Sequence, residues 1–386
     1  MLTIIMFLSV LSVLVLIHEL GHFLAARIFG VKAEEFGYGF PPRLIGFVKD
    51  RGKWKRVKGS DESSYAKTIW SINWLPLGGF VRIKGESADD HVNDSDSFQS
   101  KKIWKRVLIL AAGVAMNWLL AYFIFVSIFL IGAPSILEDV PAGATIQDRS
   151  IRITSVMDGM PAAKNGLMSG DRVITVAGVV PTDYNDARNL IAKQNETLFE
   201  IRYIRDGEEK VVTITPVQIK ELGHAGIGVA LADIGIVRFG IGQSFWYAGI
   251  ATYGYTRDVL FAFGTMLRDL ILLHPLGQDV SGPIGIAVMT GQVAKQGIVP
   301  LLQFAAILSI NLAVVNFLPI PALDGGRVLF LAIEKVRRRA MGQKLESGIH
   351  QVAFIALIVL ILLITVRDLG RYGGMIVGGL KGLVGM

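Results

Sequence analysis

The stretch His18-Glu19-Leu20-Gly21-His22 brings two imidazoles and a carboxylate together within five residues. On a helix, His18 and His22 project from nearly the same face, one turn apart. That spacing lets both bind one Zn²⁺, and Glu19 beside them can take a proton from water that the metal polarises. A zinc hydrolase also needs a third protein ligand and an open position for water. The chain has no cysteine, so no disulfide can form and every metal ligand must be nitrogen or oxygen.

Of the other histidines, His91, His224, His274 and His350, none lies in an apolar run facing the motif, and a surface role is expected for each. Asp324 is the better third ligand. It follows the uncharged run Gly297–Leu323 directly, and an ionisable residue at a membrane segment is functional by default. The alternatives are an ion pair with Arg327 or a cap on the helix that follows. Pro319 and Pro321 should break regular helix beside the metal and free backbone groups for a substrate. Asn316 could hold a peptide carbonyl or a developing oxyanion, or simply bond a neighbouring helix.

The elements that must position these residues are membrane helices. Of the 386 residues, 52% are hydrophobic and only 18% charged, against about 25% charged in ordinary soluble domains. Four uncharged runs, Met1–Ile17, Val107–Ala133, Gly297–Leu323 and Gln351–Val366, approach or exceed the roughly 20 residues a membrane helix needs. The first does so only if His18–Phe23 lie in the membrane too. It lacks a basic leader and a clear small-residue cleavage site, so it is expected to be retained.

The expected organisation is a polytopic α-helical membrane protein with an α+β domain outside the bilayer. Helix 1 with the zinc motif covers 1–26, a loop with a membrane-associated β region 27–105, and helix 2 106–133. A soluble domain follows over 134–232, then amphipathic interfacial helices over 233–296. Helix 3 with the aspartate covers 297–326, a basic loop 327–348, helix 4 349–369 and a tail 370–386. Lys101, Lys102, Lys105 and Arg106 flank helix 2, and Arg337, Arg338 and Arg339 follow helix 3. The positive-inside rule puts both loops in the cytoplasm and the soluble domain outside it. The formal charge of +7 is diffuse. No basic run is interleaved with aromatics, so no nucleic-acid partner is expected.

In the first loop, Phe36–Phe47 and Trp70–Glu86 read as strands, and the acidic stretch Ser87–Ser100 as a mobile loop. In the soluble domain, Asp183 is placed to cap a helix over Tyr184–Lys193.

H-E-x-x-H in a first membrane helix, paired with N-x-x-P-x-P-x-L-D-G-G in a later one, resembles the site-2 protease family of intramembrane zinc metalloproteases, in the bacterial branch like regulator of sigma-E protease. Pro161–Ile191 resembles the core of a PDZ domain. Ser281–Val288 resembles the segment this branch carries before its third helix, and Pro76–Glu86 resembles its membrane-associated β region. The resemblance implies His18, His22 and Asp324 as zinc ligands, Glu19 as the catalytic carboxylate and Asn316 as a substrate contact. Pro319, Gly78, Gly79 and Phe80 would also line the substrate path, the strand region holding the substrate extended by strand addition.

The resemblance further implies cleavage inside the membrane segments of single-span proteins, such as anti-sigma factors or remnant signal peptides. It implies a bacterial cytoplasmic (inner) membrane, with the PDZ domain periplasmic. The enterobacterial relatives carry two tandem PDZ domains, whereas this chain has room for one. A membrane metal transporter and a non-catalytic PDZ scaffold are the competing readings. Glu19 inside the zinc motif speaks against both.

Overall fold

Leu2–Ile28 forms one uninterrupted helix, α1, because its apolar side chains suit lipid and a helix satisfies every backbone group internally. The structure, a computed structural model, describes residues 2–59, 65–86, 94–138, 140–141, 143–219, 224–272, 274, 282–339 and 343–384. After α1 come β1 (Ala33–Asp50), β2 (Lys53–Lys58), β3 (Ile69–Ile83) and α2 (Ile103–Ile131). Then follow β4 (Ala133–Ile136), β5 (Thr145–Val156), α3 (Pro161–Lys164), β6 (Arg172–Val176), α4 (Tyr184–Lys193), β7 (Phe199–Arg205), β8 (Glu208–Ile214), β9 (Val217–Ile219), β10 (His224–Gly226) and β11 (Val229–Arg238). The chain ends with α5 (Ile241–Ile271), α6 (Pro283–Lys295), α7 (Ile298–Phe317), α8 (Asp324–Arg337) and α9 (Gln343–Val384). Among the described residues, four helical segments are long and apolar enough to cross a membrane: Thr3–Ile28, Ile103–Ile131, Ile298–Phe317 and Leu345–Arg371.

The chain divides into two compact units. One comprises 1–126 and 247–386, the other 127–246. In the first unit, β1 and β3 each fold back on themselves. Residues 35–38 of β1 pair with both 69–72 and 79–82 of β3, and 45–47 of β1 pair with 70–72 again. The segment 70–72 is therefore flanked on both sides. Gly79–Ile83 pairs on one side only among the described residues, and forms the edge of the sheet.

That edge lies on α1. Ser12 ties it there, donating to the Pro76 carbonyl and accepting from the Gly78 N–H, both at 3.2 Å. The contact requires glycine. A Cβ at Gly78 would enter Val15, and one at Gly79 would lie 2.8 Å from the Leu16 Cα. The described part of the acidic stretch, 94–100, is better anchored than its composition suggests. Lys84 bridges Asp94 and Asp96 at 2.7 Å each, and Phe98 is buried. Residues 87–93, with His91, lie outside the described residues.

The expected third membrane helix is shorter than 297–326. α7 stops at Phe317, and Leu318 is extended (φ −62°, ψ 142°), as a residue preceding proline prefers. Asp324 thus opens a separate helix, α8. The first half of the expected basic loop 327–348, to Arg337, belongs to this helix, and α9 begins at Gln343. Arg327 and Glu334 pair with Glu86 and Arg106 on the same side of α8 that buries Phe330 and Leu331. The expected interfacial region 233–296 begins as strand, since β11 runs to Arg238. Its 31-residue helix α5 is continuous. α6 follows, its Gly285 N–H donating to Asp368 of α9 at 2.7 Å; Ser281 lies outside the described residues. The tail stays helical to Val384.

The second unit is a six-stranded antiparallel sheet, in the order β4-β11-β5-β6-β7-β8, with α3 and α4. Phe199, Ile201 and Tyr203 are buried while Glu200 and Arg202 are exposed, the period of two of a strand with one face on a core. That core includes Ile153, Val176, Ile191 and Ile214. Asp183 caps α4 by accepting from the Asp186 N–H at 2.8 Å, as its place before the helix predicts.

Candidate metal centre and active site

α1 brings His18 and His22 to one face, where both are buried. Their Nε2 atoms lie 3.1 Å apart. Asp324, at the first turn of α8, places Oδ2 3.0 Å from His18 Nε2 and 3.3 Å from His22 Nε2. Zinc–nitrogen and zinc–oxygen bonds of about 2.0–2.1 Å in tetrahedral geometry set ligand atoms roughly 3.3 Å apart. The three atoms are therefore spaced almost as a bound zinc requires, and the donor set of two imidazoles and a carboxylate suits it. The two alternatives for Asp324 do not describe its surroundings. Arg327 pairs with Glu86 instead, and α8 has no side-chain cap.

α2 supplies the surroundings of the histidines from one of its faces. His22 Nδ1 lies 2.9 Å from the Ile109 carbonyl. A carbonyl can only accept, so Nδ1 carries the proton and Nε2 is left free as a ligand. One turn on, Gly113 allows close approach, because a Cβ there would collide with both imidazole rings. One turn further, the Asn117 amide lies 3.4 Å from His18 Nδ1. Asn117 is fully buried, and its Oδ1 has no other partner among the described residues. With the amide turned so that Oδ1 faces the ring, His18 Nδ1–H and Oδ1 satisfy each other. Ser309 of α7 donates to the Asn117 carbonyl at 2.8 Å and fixes α2 against α7.

Glu19 lies one residue along from His18, between the metal group and the sheet edge. A Cβ at Gly79 would lie 3.3 Å from the Glu19 Cβ, so the edge strand runs directly beside the carboxylate residue. Asn316, in the last turn of α7, places Nδ2 3.5 Å from His18 Nε2. Gly325 and Gly326 let the link Leu318–Leu323 fold over the start of α8, where a Cβ would meet the carbonyls of Phe317, Leu318 and Ile320.

His18, Glu19, His22, Asn316 and Asp324 thus share one site. The other expected site residues do not reach the metal group. Gly78 and Gly79 are buried against α1. Phe80 lies under the Arg82 guanidinium, and Pro319 is exposed in the link.

Two residues escape the sequence reading. Asn117 has a signal, being the sole amide in the run Val107–Ala133. His350, expected at the surface, is half-buried and bonded to the link. Its partner lies on another element, and nothing local announces it.

Residues 6–57 and 61–360 match peptidase family M50. The chain belongs to that family. It is 28% identical to the regulator of sigma-W protease RasP of Bacillus subtilis over 448 residues, covering 96% of this chain and 98% of that one. It is 29% identical to zinc metalloprotease RasP of Geobacillus kaustophilus over 458 residues, covering 96% and 98%. Among solved structures, the PDZ domain of an SdrC-like protein from Listeria monocytogenes is 22% identical, with a TM-score of 0.20, covering 24% of this chain and 92% of that chain. This M50 chain is a multi-pass membrane zinc metalloprotease of the intramembrane site-2 type.

Proposed function

We propose that this protease cleaves peptide bonds within the membrane segments of single-span proteins, with zinc held by His18, His22 and Asp324 and with Glu19 as the catalytic base. The observation that carries the reading is the convergence of three ligand atoms within 3.3 Å, from helices 306 residues apart in sequence, with Glu19 alongside.

Zinc, when bound, polarises the scissile carbonyl and lowers the pKa of water toward 7. Glu19 accepts the proton of the attacking water and passes it to the leaving amine. The Asn316 amide, facing the same space, donates to the oxygen that gains charge. A substrate helix hides its carbonyls in its own hydrogen bonds and must be opened. The edge Gly79–Ile83, beside Glu19, pairs on one side only among the described residues, and its other side offers a place for an extended substrate to pair.

The second unit acts as a PDZ-type filter on the extracytoplasmic face of a bacterial inner membrane. A cavity of about 280 Å³ lies between Tyr184, Arg188 and Ile191 of α4 and the turn and strand Ala225–Leu231. The Bacillus subtilis relative is named for the regulation of sigma-W; anti-sigma factors and remnant signal peptides, both of the single-span class, are the proposed substrates.

The test is cleavage of a reconstituted single-span substrate by the wild type and by Glu19→Gln, each with its zinc measured. Cleavage by the wild type alone, with zinc in both, supports the assignment. Equal cleavage by both rejects the role of Glu19.

A further inference from the structure

The link Leu318–Leu323 delivers Asp324 to the zinc ligands, and it contains a costly residue. Ala322 has φ +80°, in the left-handed region that non-glycine residues avoid. Something must hold it there. Pro319 and Pro321 have no N–H, and the Ile320 and Leu323 N–H groups bond within the link, to Leu318 and Ile320. The Ala322 N–H bonds outside it, to Nδ1 of His350 on α9, at 2.8 Å.

His350 is itself an expensive residue for its place. It lies in the fourth membrane-spanning segment, Leu345–Arg371. Its ring packs edge-on against Phe330 of α8. Because Nδ1 accepts, the ring proton sits on Nε2, and Nε2 is buried without a partner among the described residues. An unpaired buried donor destabilises a fold, and polar groups in membrane segments carry a similar penalty. An apolar residue of the same shape would avoid both, but could not accept the Ala322 N–H.

We infer that His350 is a positioning residue: by holding the Ala322 N–H it fixes the left-handed turn of the link, and so aims Asp324, two residues on, at His18 and His22. The inference rests on the assignment of Asp324 as a zinc ligand. It gives α9, which supplies no ligand, a specific hold on the metal centre. Partners outside the ligand shell commonly tune metal affinity or activity 10–100-fold.

The test uses the full-length, zinc-loaded enzyme and three variants. His350→Phe keeps a ring against Phe330 and removes the acceptor. His350→Asn puts its Oδ1 about where Nδ1 was. Asp324→Ala reports on the ligand itself. Zinc loss to a chelator is followed together with kcat and KM on a single-span substrate. In His350→Phe, zinc loss should speed up and kcat fall, each by about 10–100-fold, with KM little changed. His350→Asn should recover most of both.

Wild-type zinc retention and kcat in His350→Phe would overturn the inference. So would equal losses in His350→Phe and His350→Asn, which would assign the effect to the shape of the ring. Zinc kept by Asp324→Ala would remove the ligand assignment, and this inference with it. Zinc lost by Asp324→Ala but held normally by His350→Phe would sink this inference alone. One measurement needs no variant. The Ala322 amide of the wild type, followed by hydrogen exchange with fragmentation mass spectrometry, should be protected, and exchange at the free-amide rate would overturn the inference.

Discussion

Asn117 reaches Nδ1 of His18 across the interface of two membrane helices, while its own carbonyl receives Ser309 from a third. A ligating histidine is oriented by what its second nitrogen bonds, and here that partner is a fully buried amide whose Oδ1 has no other partner among the described residues. Asn117→Leu should weaken zinc binding by about 10–100-fold while leaving the membrane helices formed. Chelator competition reads this directly. Unaltered zinc affinity would show that His18 is held by packing alone.

The ligands themselves should behave as a set. Stripping zinc with a chelator should abolish cleavage, and adding it back should restore it. His22→Ala and Asp324→Ala should each lose stoichiometric zinc, because two protein ligands do not make a structural or catalytic zinc site. Metal analysis of the purified variants checks this. Full zinc occupancy in either variant would exclude that residue from the ligand set.

The reach of sequence reasoning follows from the range of each interaction. His18, Glu19 and His22 sit within two turns of one helix, so their shared face follows from the helical period. Asp324 stands out because a charge at the end of a long apolar run is costly anywhere but at a functional site. Asn117 and His350 derive their roles from partners on other helices, and no local pattern carries that information. The helix α8 was hidden by its own charges. Arg106 of α2 holds Glu334 at 3.3 Å, and Glu86 holds Arg327, so residues resembling a solvated loop are the means of docking a helix. The sheet was legible as strands but not in its pairing. Period-two alternation says which face is buried, but nothing about β1 and β3 each folding back to leave Gly79–Ile83 at the edge.

That edge yields a steric prediction. A Cβ at Gly79 would lie 2.8 Å from the Leu16 Cα and 3.3 Å from the Glu19 Cβ. Leu16 presents backbone there, so the strand or the helix must move. Overpacking of this kind costs about 1–3 kcal/mol, and here it falls beside the catalytic carboxylate. Gly79→Ala should lower kcat/KM at least about tenfold, since 1.4 kcal/mol corresponds to a factor of ten, with zinc retained. Steady-state kinetics with metal analysis decides it. Wild-type kinetics would mean that the spacing between edge and helix is slack.

The cap on α4 lies in the second unit, whereas His18, His22 and Asp324 lie in the first. Asp183 satisfies the Asp186 N–H, and loss of such a cap costs about 1 kcal/mol. Asp183→Ala should lower the unfolding temperature of that unit in the full-length protein while leaving zinc content unchanged. Scanning calorimetry and metal analysis together check it. A fall in zinc content would mean that the cap matters beyond its own unit.

The sheet beneath the active site should be acid-sensitive, through Glu35. This carboxylate is buried in β1, and burial by itself would raise its pKa. Arg43, donating from Nε at 2.8 Å, outweighs that together with Ser71 and Arg82, and holds the carboxyl below its ordinary value of 4.5. The native state therefore releases this proton more readily than the unfolded chain. Glu35 contributes fully to stability above pH 4.5; the contribution fades as the pH falls below that value and is lost once the native carboxyl is protonated. Arg43→Met leaves burial unopposed by its main counter-charge and raises the carboxyl. Loosening of β1 on acidification should then begin at higher pH than in the wild type. Hydrogen exchange across Ala33–Asp50, followed from pH 7 to pH 4, should show the shift. Identical pH profiles in the two proteins would mean that Ser71 and Arg82 alone keep Glu35 ionised.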